Sequence, residues 1–92
     1  MPIACENGVC LVSGPVTMRS VTALLAESAG KIAGTHVVVD LAGVTEVDSA
    51  AVSLLLEWRR EAARAGRTIE YRNVPANLIT LAELYGVSEL VA

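Results

Sequence analysis

Residues 36–49, HVVVDLAGVTEVDS, are the stretch that decides the fold. The run HVVVDL at 36–41 is short, apolar and rich in β-branched side chains, which is typical of a central strand covered on both faces. AGVTEVD at 42–48 has the composition of a compact loop, and a long helical pattern begins at Ser49. The order of strand, loop and helix places this unit at the centre of an α/β domain.

The helix after this loop is predicted to run from Ser49 or Ala50 to Ala65, with Gly66 as the residue that ends it. Apolar residues recur three or four positions apart and form an inward stripe, made of Ala51, Leu54, Leu55, Trp58 and Ala62. A polar stripe is expected to face water, made of Ser53, Glu57, Arg60 and Arg64.

Near the start of the chain, Cys5 and Cys10 flank Asn7-Gly8, the strongest short signal for a β-hairpin. A two-residue turn there places the two cysteines opposite each other at a non-hydrogen-bonded position, at a distance that permits a disulfide. Reduced thiols are the plainer interpretation for a cytosolic protein, and the sequence leaves the redox state of the pair open. His36 is the only histidine and there is no further cysteine to complete a ligand set, so no metal site is expected.

Between the hairpin and the central strand, the pattern predicts a strand over 9–13, a break at Gly14-Pro15, and a helix. This helix is capped by Thr17, runs to about Ala29 and ends at Gly30. Its apolar stripe consists of Val21, Leu24, Leu25 and Ala29. Its water-facing residues are expected to be Arg19, Glu27 and Ser28.

After Gly66, residues 67–72 alternate in polarity, with Ile69 and Tyr71 on one face, which predicts a half-exposed strand near a sheet edge. A last helix starts at Pro75 and stops at Gly86. Its apolar stripe is expected to be Leu78, Leu81, Ala82 and Tyr85. The predicted order is ββαβαβα, a single α/β domain over residues 1–92 in which helices pack on a small mixed sheet.

The composition argues against several classes of protein. A chain of 92 residues with 53% hydrophobic residues has room for one core, and a net charge of −3 argues against nucleic acid as a partner. No apolar run approaches the roughly 18–20 residues of a membrane span. The first residues, MPIACE, have no basic flank and no long apolar segment, so no signal peptide is expected and a cytosolic location is the default.

Catalysis has little support in the sequence. There is no glycine-rich phosphate loop, no G-x-S-x-G and no H-E-x-x-H. His36 opens a strand, where a structural role is expected. Asp40, Glu46 and Asp48 lie close in sequence, but no further residue supports a general acid/base pair. We therefore expect no catalytic residue and no cofactor.

The segment VDSAAV at 47–52 has two interpretations. In the structural one, Ser49 or Asp48 caps the helix by accepting a backbone N–H bond. In the functional one, Ser49 is displayed at the positive end of the helix dipole, where a phosphate is favoured or a partner docks.

Residues 37–49 resemble the central strand and loop of STAS domains, the fold of anti-sigma-factor antagonists. In that family an apolar strand ends in Asp-Leu, and a short loop then reaches Asp-Ser or Asp-Thr at the start of a helix. Val12-Ser13-Gly14 is similar to the family's strand-ending Ser/Thr-Gly. The resemblance covers nearly the whole chain, and it implies a STAS fold and a non-catalytic domain that works through contacts with partners.

Two branches of the family differ in partner. In antagonists a partner kinase phosphorylates the serine after the aspartate, the position of Ser49, and this controls sigma-factor release. MlaB-type proteins are small cytoplasmic subunits of the Mla phospholipid ABC transporter, and they bind its ATPase subunit. Residues 80–87 and 14–17 look like the transporter branch. Ala50 and Ala51 stand where both branches usually have a glycine.

The transporter branch implies an accessory subunit that holds or regulates the ATPase, in a complex with the permease. Such a subunit is peripheral at the inner membrane and supports outer-membrane lipid asymmetry. The contact surface is expected to comprise Thr17, Asp48, Ser49, Ala50, Val52 and Ser53. An interface there needs a desolvated centre, which Ala50 and Val52 supply if they face outward. The alternatives are an antagonist phosphorylated at Ser49, and an interaction domain with another partner.

A group of arginines lies in the second half of the chain: Arg59, Arg60, Arg64, Arg67 and Arg72. The plain interpretation is a solvated helix face with Glu57–Arg60 and Glu61–Arg64 pairs. The other is a weak electrostatic contact with an acidic partner or with membrane phosphates.

Overall fold

Four strands form one sheet in chain order, with helices between and after them. The computed structural model describes residues 2–29, 31–32 and 34–91. Its elements are β1 (Ile3–Glu6), β2 (Val9–Val16), α1 (Val21–Ser28), β3 (His36–Val47), α2 (Ser49–Arg64), β4 (Thr68–Arg72), α3 (Ala76–Leu84) and α4 (Ser88–Val91). β1 pairs antiparallel with β2, whereas β2–β3 and β3–β4 are parallel. The predicted order ββαβαβα and the mixed sheet are confirmed, with the single turn of α4 added. The predicted end of the first helix at Gly30 lies outside the described residues.

β3 is the central strand, and it is longer than the sequence suggested. It spans 12 residues, so the prediction of a loop over 42–48 was wrong except at its last residue. β2 also continues through Gly14-Pro15 to Val16, and the two strands stay paired because register shifts absorb the irregular residues. Gly14 has φ +84°, and a Cβ on Gly43 would lie 3.1 Å from the Val12 carbonyl oxygen. Glycine at these positions lets the two strands remain close.

The core lies on one face of the sheet. Val37, Val39 and Leu41 are at most 2% exposed and pack with the helices in one cluster. On the other face Val38 is 6% exposed, but its neighbours on β2, Val9 and Leu11, are 39% and 41% exposed. Val38 is therefore buried on the second face, as expected for a strand covered on both faces. The β2 residues beside it on that face are exposed.

The first hairpin holds the two cysteines. Asn7 and Gly8 both have positive φ, and the register places Cys5 opposite Cys10 as expected. The structure joins the two residues by a disulfide, with their Cα atoms 4.0 Å apart, which is the alternative to the reduced thiols favoured for a cytosolic protein. The tight turn and the direct cross-strand pairing bring the two sulfurs together.

α1 starts later than predicted, and the burial of its last turn differs from the prediction. It starts at Val21, because residues 17–20 form a turn in which the amides of Ser20 and Val21 both donate to the Thr17 carbonyl. Ser28 was expected to face water, but it is 2% exposed, and its hydroxyl accepts a 2.8 Å hydrogen bond from Trp58 Nε1. A buried indole N–H needs an acceptor, and Ser28 provides it. Ala29, expected in the apolar stripe, is exposed.

One ion pair attaches the edge strand to α1. Glu27 accepts a 2.9 Å hydrogen bond from the backbone N–H of Ile3, and Lys31 donates to the carbonyl of the same residue. Lys31 and Glu27 also form an ion pair at 3.1 Å. The peptide groups on the free side of β1 at Ile3 are thus satisfied by side chains, which protects this edge from pairing with another strand.

α2 agrees with its prediction. It runs Ser49–Arg64, Gly66 follows with φ +69°, and every residue of the inward stripe is buried. The predicted Glu57–Arg60 pair is confirmed at 2.9 Å, and Glu57 also accepts from Arg64 at 3.1 Å. The predicted Glu61–Arg64 pair was wrong, since Glu57, one turn further back, takes Arg64.

β4 is the other edge strand, as predicted, and Ile69 and Tyr71 are buried. The hydroxyl of Tyr71 donates to the Leu55 carbonyl in α2, and burial raises the pKa of this phenol. The guanidinium of Arg59 lies 5.5 Å from the centre of the Tyr71 ring. His36 has the structural role expected of it, since its ring hydrogen-bonds Thr68 across the β3–β4 pair.

α3 begins after Pro75 and ends before Gly86, as predicted. Leu78 and Ala82 are buried, but Tyr85 is 58% exposed, so its assignment to the apolar stripe was wrong. The helix stops at Leu84 and Tyr85 is its C-cap, which takes this side chain off the regular helix face. The sequence also missed α4, whose Val91 is fully buried.

Replacing Ser28 with alanine should destabilise the fold, because the Trp58 N–H would lose its acceptor in a buried site. We expect Ser28→Ala to lower the free energy of unfolding by about 1–3 kcal/mol in urea denaturation. Ser53→Ala, on the exposed face of α2, is the control and should change it by less than about 0.5 kcal/mol. Equal effects of the two variants would show that the Ser28–Trp58 bond adds nothing to stability.

Candidate functional site

The site lies at the carboxyl-terminal ends of the two inner strands, β2 and β3. These strands are parallel and their last residues, Val16 and Val47, are paired. Parallel neighbours emerge from the same edge of a sheet, so Thr17 and Asp48 leave it side by side. α2 starts immediately afterwards at Ser49.

Asp48 joins the two segments at this edge. Its Oδ1 accepts a 2.8 Å hydrogen bond from the backbone N–H of Ala50 and so caps α2. Its Oδ2 accepts a 3.0 Å bond from the backbone N–H of Met18, in the turn after β2. Of the two cap candidates in the sequence, Asp48 is therefore the cap.

Ser49 is left available by this arrangement. It is the first residue of α2 and is exposed, and its hydroxyl makes no hydrogen bond to any of the described residues. Thr17 accepts a 3.3 Å bond from the Arg19 N–H and is half-buried. A hydroxyl at the N-terminus of a helix of 16 residues lies in the positive field of the helix dipole.

A groove of about 340 Å³ opens beside Ser49, between α2 and the segment after α3. It is lined by Ser49, Val52, Ser53, Leu56, Tyr85 and Val87. Val52 is only 3% exposed and does not meet the condition of facing outward; it belongs to the core and forms part of the groove wall. Ala50 is half-buried, and Ser53 is exposed. The apolar side chain that projects most at this groove is Tyr85.

On the other side of Asp48, Met18 projects into solvent with 76% of its surface exposed. It lines a shallow depression with Thr17, Arg19, Glu46 and Asp48. We use the name Ser49 surface for Thr17, Met18, Asp48, Ser49, Ser53, Leu56, Tyr85 and Val87. It has a small hydroxyl residue in its middle and a large exposed apolar side chain on each side.

Asp48 and Ser49, in the middle of this surface, were predicted from the sequence. Met18 and Tyr85, on its two sides, were not. Met18 was taken as part of a helical turn, and it is the turn at 17–20 that directs it outward. Tyr85 was taken as core because the apolar spacing of α3 continues to it. The signal that it leaves the core was Gly86, since a helix ended by Gly86 makes Tyr85 the capping residue.

Ser49 and His36 stand at opposite ends of β3. Ser49 follows the end of β3, whereas His36, the sole histidine of the sequence, begins that strand. Within residues 2–29, 31–32 and 34–91, no group of three metal-ligating side chains comes together. No helix in these same ranges has both the length and the apolar character needed to cross a membrane.

Comparison with known proteins decides the family. A family model described as "Mlab, STAS domain" matches residues 4–92. The chain belongs to the STAS-domain family. A comparison with curated protein sequences gives no significant match.

Solved structures agree on the fold. The anti-sigma-factor antagonist SpoIIAA, in its unphosphorylated form, is 23% identical and superposes with a TM-score of 0.67 over 96% of this chain and 82% of its own. Part of a structure called Mglu is 22% identical with a TM-score of 0.62, over 83% of this chain. This chain spans only 20% of that Mglu chain. The predicted STAS fold is thus confirmed. STAS domains are generally non-catalytic regulatory proteins that act through protein–protein contacts.

Removing the Asp48 carboxylate should destabilise the site. Asp48→Ala leaves the amides of Ala50 and Met18 without their acceptor, and we expect the free energy of unfolding to fall by about 1–2 kcal/mol. Asp48→Asn keeps one acceptor oxygen and should recover part of the loss. Glu46→Ala, two residues earlier and exposed, is the control for loss of charge. Chemical denaturation followed by the fluorescence of Trp58 measures all three, and a loss for Glu46→Ala equal to that for Asp48→Ala would contradict this role.

Proposed function

We propose that this protein is a non-catalytic accessory subunit of an Mla-type phospholipid ABC transporter. It binds the ATPase subunit through the Ser49 surface and stabilises or regulates it, in one complex with the permease. It thereby supports outer-membrane lipid asymmetry. It works in the cytoplasm, peripheral at the inner membrane, as one STAS domain over residues 1–92. The observation that carries this proposal is the exposed Ser49 hydroxyl, which bonds to no residue that the structure describes and lies beside an apolar groove. The MlaB-type family model matches this chain over residues 4–92.

The Ser49 surface has the composition of a protein-binding site. Interfaces derive much of their free energy from a few large side chains that become buried on binding. Tyr85 and Met18, 58% and 76% exposed, are such side chains on either side of Ser49. The small Ser49 lets a partner approach the start of α2 closely, and Ser53 continues the contact one turn along the helix.

The surface is also preorganised. Asp48 fixes the turn that carries Met18 against the first turn of α2 through its two accepted hydrogen bonds. Val52 is held in the core below the groove. A rigid surface loses little conformational entropy when a partner binds, which favours affinity.

A bulky charge in the middle of this surface should disrupt binding without disrupting the fold. Glutamate at the first position of α2 is attracted by the helix dipole and repelled by the neighbouring Asp48 carboxylate. Because position 49 is exposed, the new side chain can extend into water, and Ser49→Glu should fold normally. We expect at least about tenfold weaker binding of the ABC ATPase subunit, because a carboxylate would be desolvated at the interface. Co-expression with the ATPase, followed by co-purification and titration, measures this effect.

Thr80→Glu is the matched control, since Thr80 is an exposed hydroxyl residue on α3 that lies outside the Ser49 surface. It should leave binding unchanged. Tyr85→Ala should weaken binding as Ser49→Glu does. Normal co-purification of both Ser49→Glu and Tyr85→Ala would rule out this surface as the contact.

A second candidate function is an anti-sigma-factor antagonist switched by phosphorylation of Ser49. The observation that favours it is the similarity of the fold to SpoIIAA. A phosphate on Ser49 would be attracted by the start of α2, but the Asp48 carboxylate lies next to it and repels it. Both Asp48 oxygens already accept hydrogen bonds, so the carboxylate cannot turn away without uncapping α2.

The two functions differ in the covalent state of Ser49. The antagonist function predicts a species one phosphate heavier, whose share changes with growth conditions and which Ser49→Ala abolishes. The transporter function predicts the unmodified mass under every condition and recovery of an ABC ATPase with its permease. Intact-mass analysis of protein captured from its native host, with identification of what accompanies it, separates the two.

A further inference from the structure

The Cys5–Cys10 disulfide is a feature that the proposed function does not use. It connects the edge strand β1 to β2 directly across the Asn7-Gly8 hairpin. Its two ends differ in environment, because Cys5 is exposed whereas Cys10 is 2% exposed and belongs to the core.

A disulfide is unusual in a protein of the cytoplasm, which is the location proposed above. In a reducing compartment thiols are kept reduced, and the disulfides that do form there are mostly transient, catalytic or redox-sensing. Exposed disulfides are also the ones that reductants reach and that tend to be labile. The exposed Cys5 gives a reductant a point of attack.

We propose that Cys5 and Cys10 form a reversible thiol–disulfide couple that responds to cellular thiols and sets the local stability of β1. This inference rests on the proposed function, because the cytoplasmic location is what exposes the disulfide to a thiol pool. The co-reactant is a small thiol or a protein dithiol.

The exchange proceeds at Cys5. The thiolate of the reductant attacks Sγ of Cys5, the disulfide bond breaks, and Cys10 leaves as a thiolate that takes up a proton. The thiolate of a second reductant thiol attacks the reductant's sulfur in the mixed disulfide. Cys5 leaves as a thiolate and takes up a proton. Two electrons and two protons pass from the reductant, which becomes a disulfide, to the cysteine pair.

We expect the fold to persist when the disulfide is open, because other contacts also hold the hairpin. These are the Asn7-Gly8 turn, the pairing of β1 with β2, the burial of Ile3 and its bonds to Glu27 and Lys31. What is lost is the covalent closure of a short loop, and with it part of the stability of an edge strand of four residues. β1 should therefore open more often while the rest of the sheet stays protected.

The first test uses the purified chain of residues 1–92 and mixtures of reduced and oxidised glutathione. Alkylation of free thiols followed by intact-mass analysis gives the reduced fraction at each ratio. We expect the pair to be mostly reduced at a cytosolic ratio and to reoxidise when the ratio is reversed. A pair that stays oxidised at that ratio, or a reduced protein that loses the near-ultraviolet circular dichroism of Trp58, would overturn the proposal.

The second test uses the two single variants and the asymmetry of exposure. Incubated with oxidised glutathione, Cys10→Ala should acquire one glutathione on the exposed Cys5, and Cys5→Ala should acquire little on the buried Cys10. Equal modification of both, or of neither, would contradict attack at Cys5.

The third test measures the effect on β1. Ala4 and Leu11 are paired across the hairpin, and their amide hydrogen exchange should become about tenfold faster on reduction, while exchange in β3 is unchanged. Unchanged exchange at both positions would overturn the role in β1 stability. None of the three tests involves the ATPase, so their failure is distinguishable from a failure of the Ser49 surface to bind it.

Discussion

The Asp48 carboxylate is the interaction on which the architecture of the site depends. One oxygen caps α2 and the other holds the turn after β2, so a single side chain sets where the helix begins and where Met18 points. Because Asp48 does the capping, the neighbouring Ser49 hydroxyl is not needed for it. An exposed hydroxyl at a helix N-terminus, beside an apolar groove, follows directly from this division of roles.

The order of elements could be predicted from the sequence because each carries a local signal. The run of valines in β3, the stripe from Ala51 to Ala62 in α2 and the Asn7-Gly8 turn all depend on neighbours in the chain. The boundaries depended on distant partners instead. Residues 42–47 read as a loop, yet they remain a strand because the irregular second half of β2 continues to pair with them. Ser28 read as a surface residue, and it is buried by Trp58, which is 30 positions away in the chain.

The same distinction holds for the site. Asp48 and Ser49 could be identified because the end of the strand and the start of the helix are adjacent in the chain. Met18 and Tyr85 could not, since each reaches the surface through a turn or cap that interrupts a helical pattern. For the disulfide, the geometry could be predicted from the sequence but the oxidation state could not. Its geometry followed from the Asn7-Gly8 turn, but the oxidation state was inferred from an assumed compartment, and the structure has the pair oxidised.

The central claim is that the Ser49 surface is where an ABC ATPase binds. Its most direct test is photo-crosslinking in the native host, with a photoreactive amino acid at position 18 and, as control, at position 68 on the far edge of the sheet. Met18 is 76% exposed and flanks Ser49, whereas β4 begins at Thr68 and is remote from it. The account predicts a crosslink to the ATPase subunit from position 18 and none from position 68. A crosslink to the ATPase from position 68 alone, or from position 18 to a small serine kinase, would contradict it.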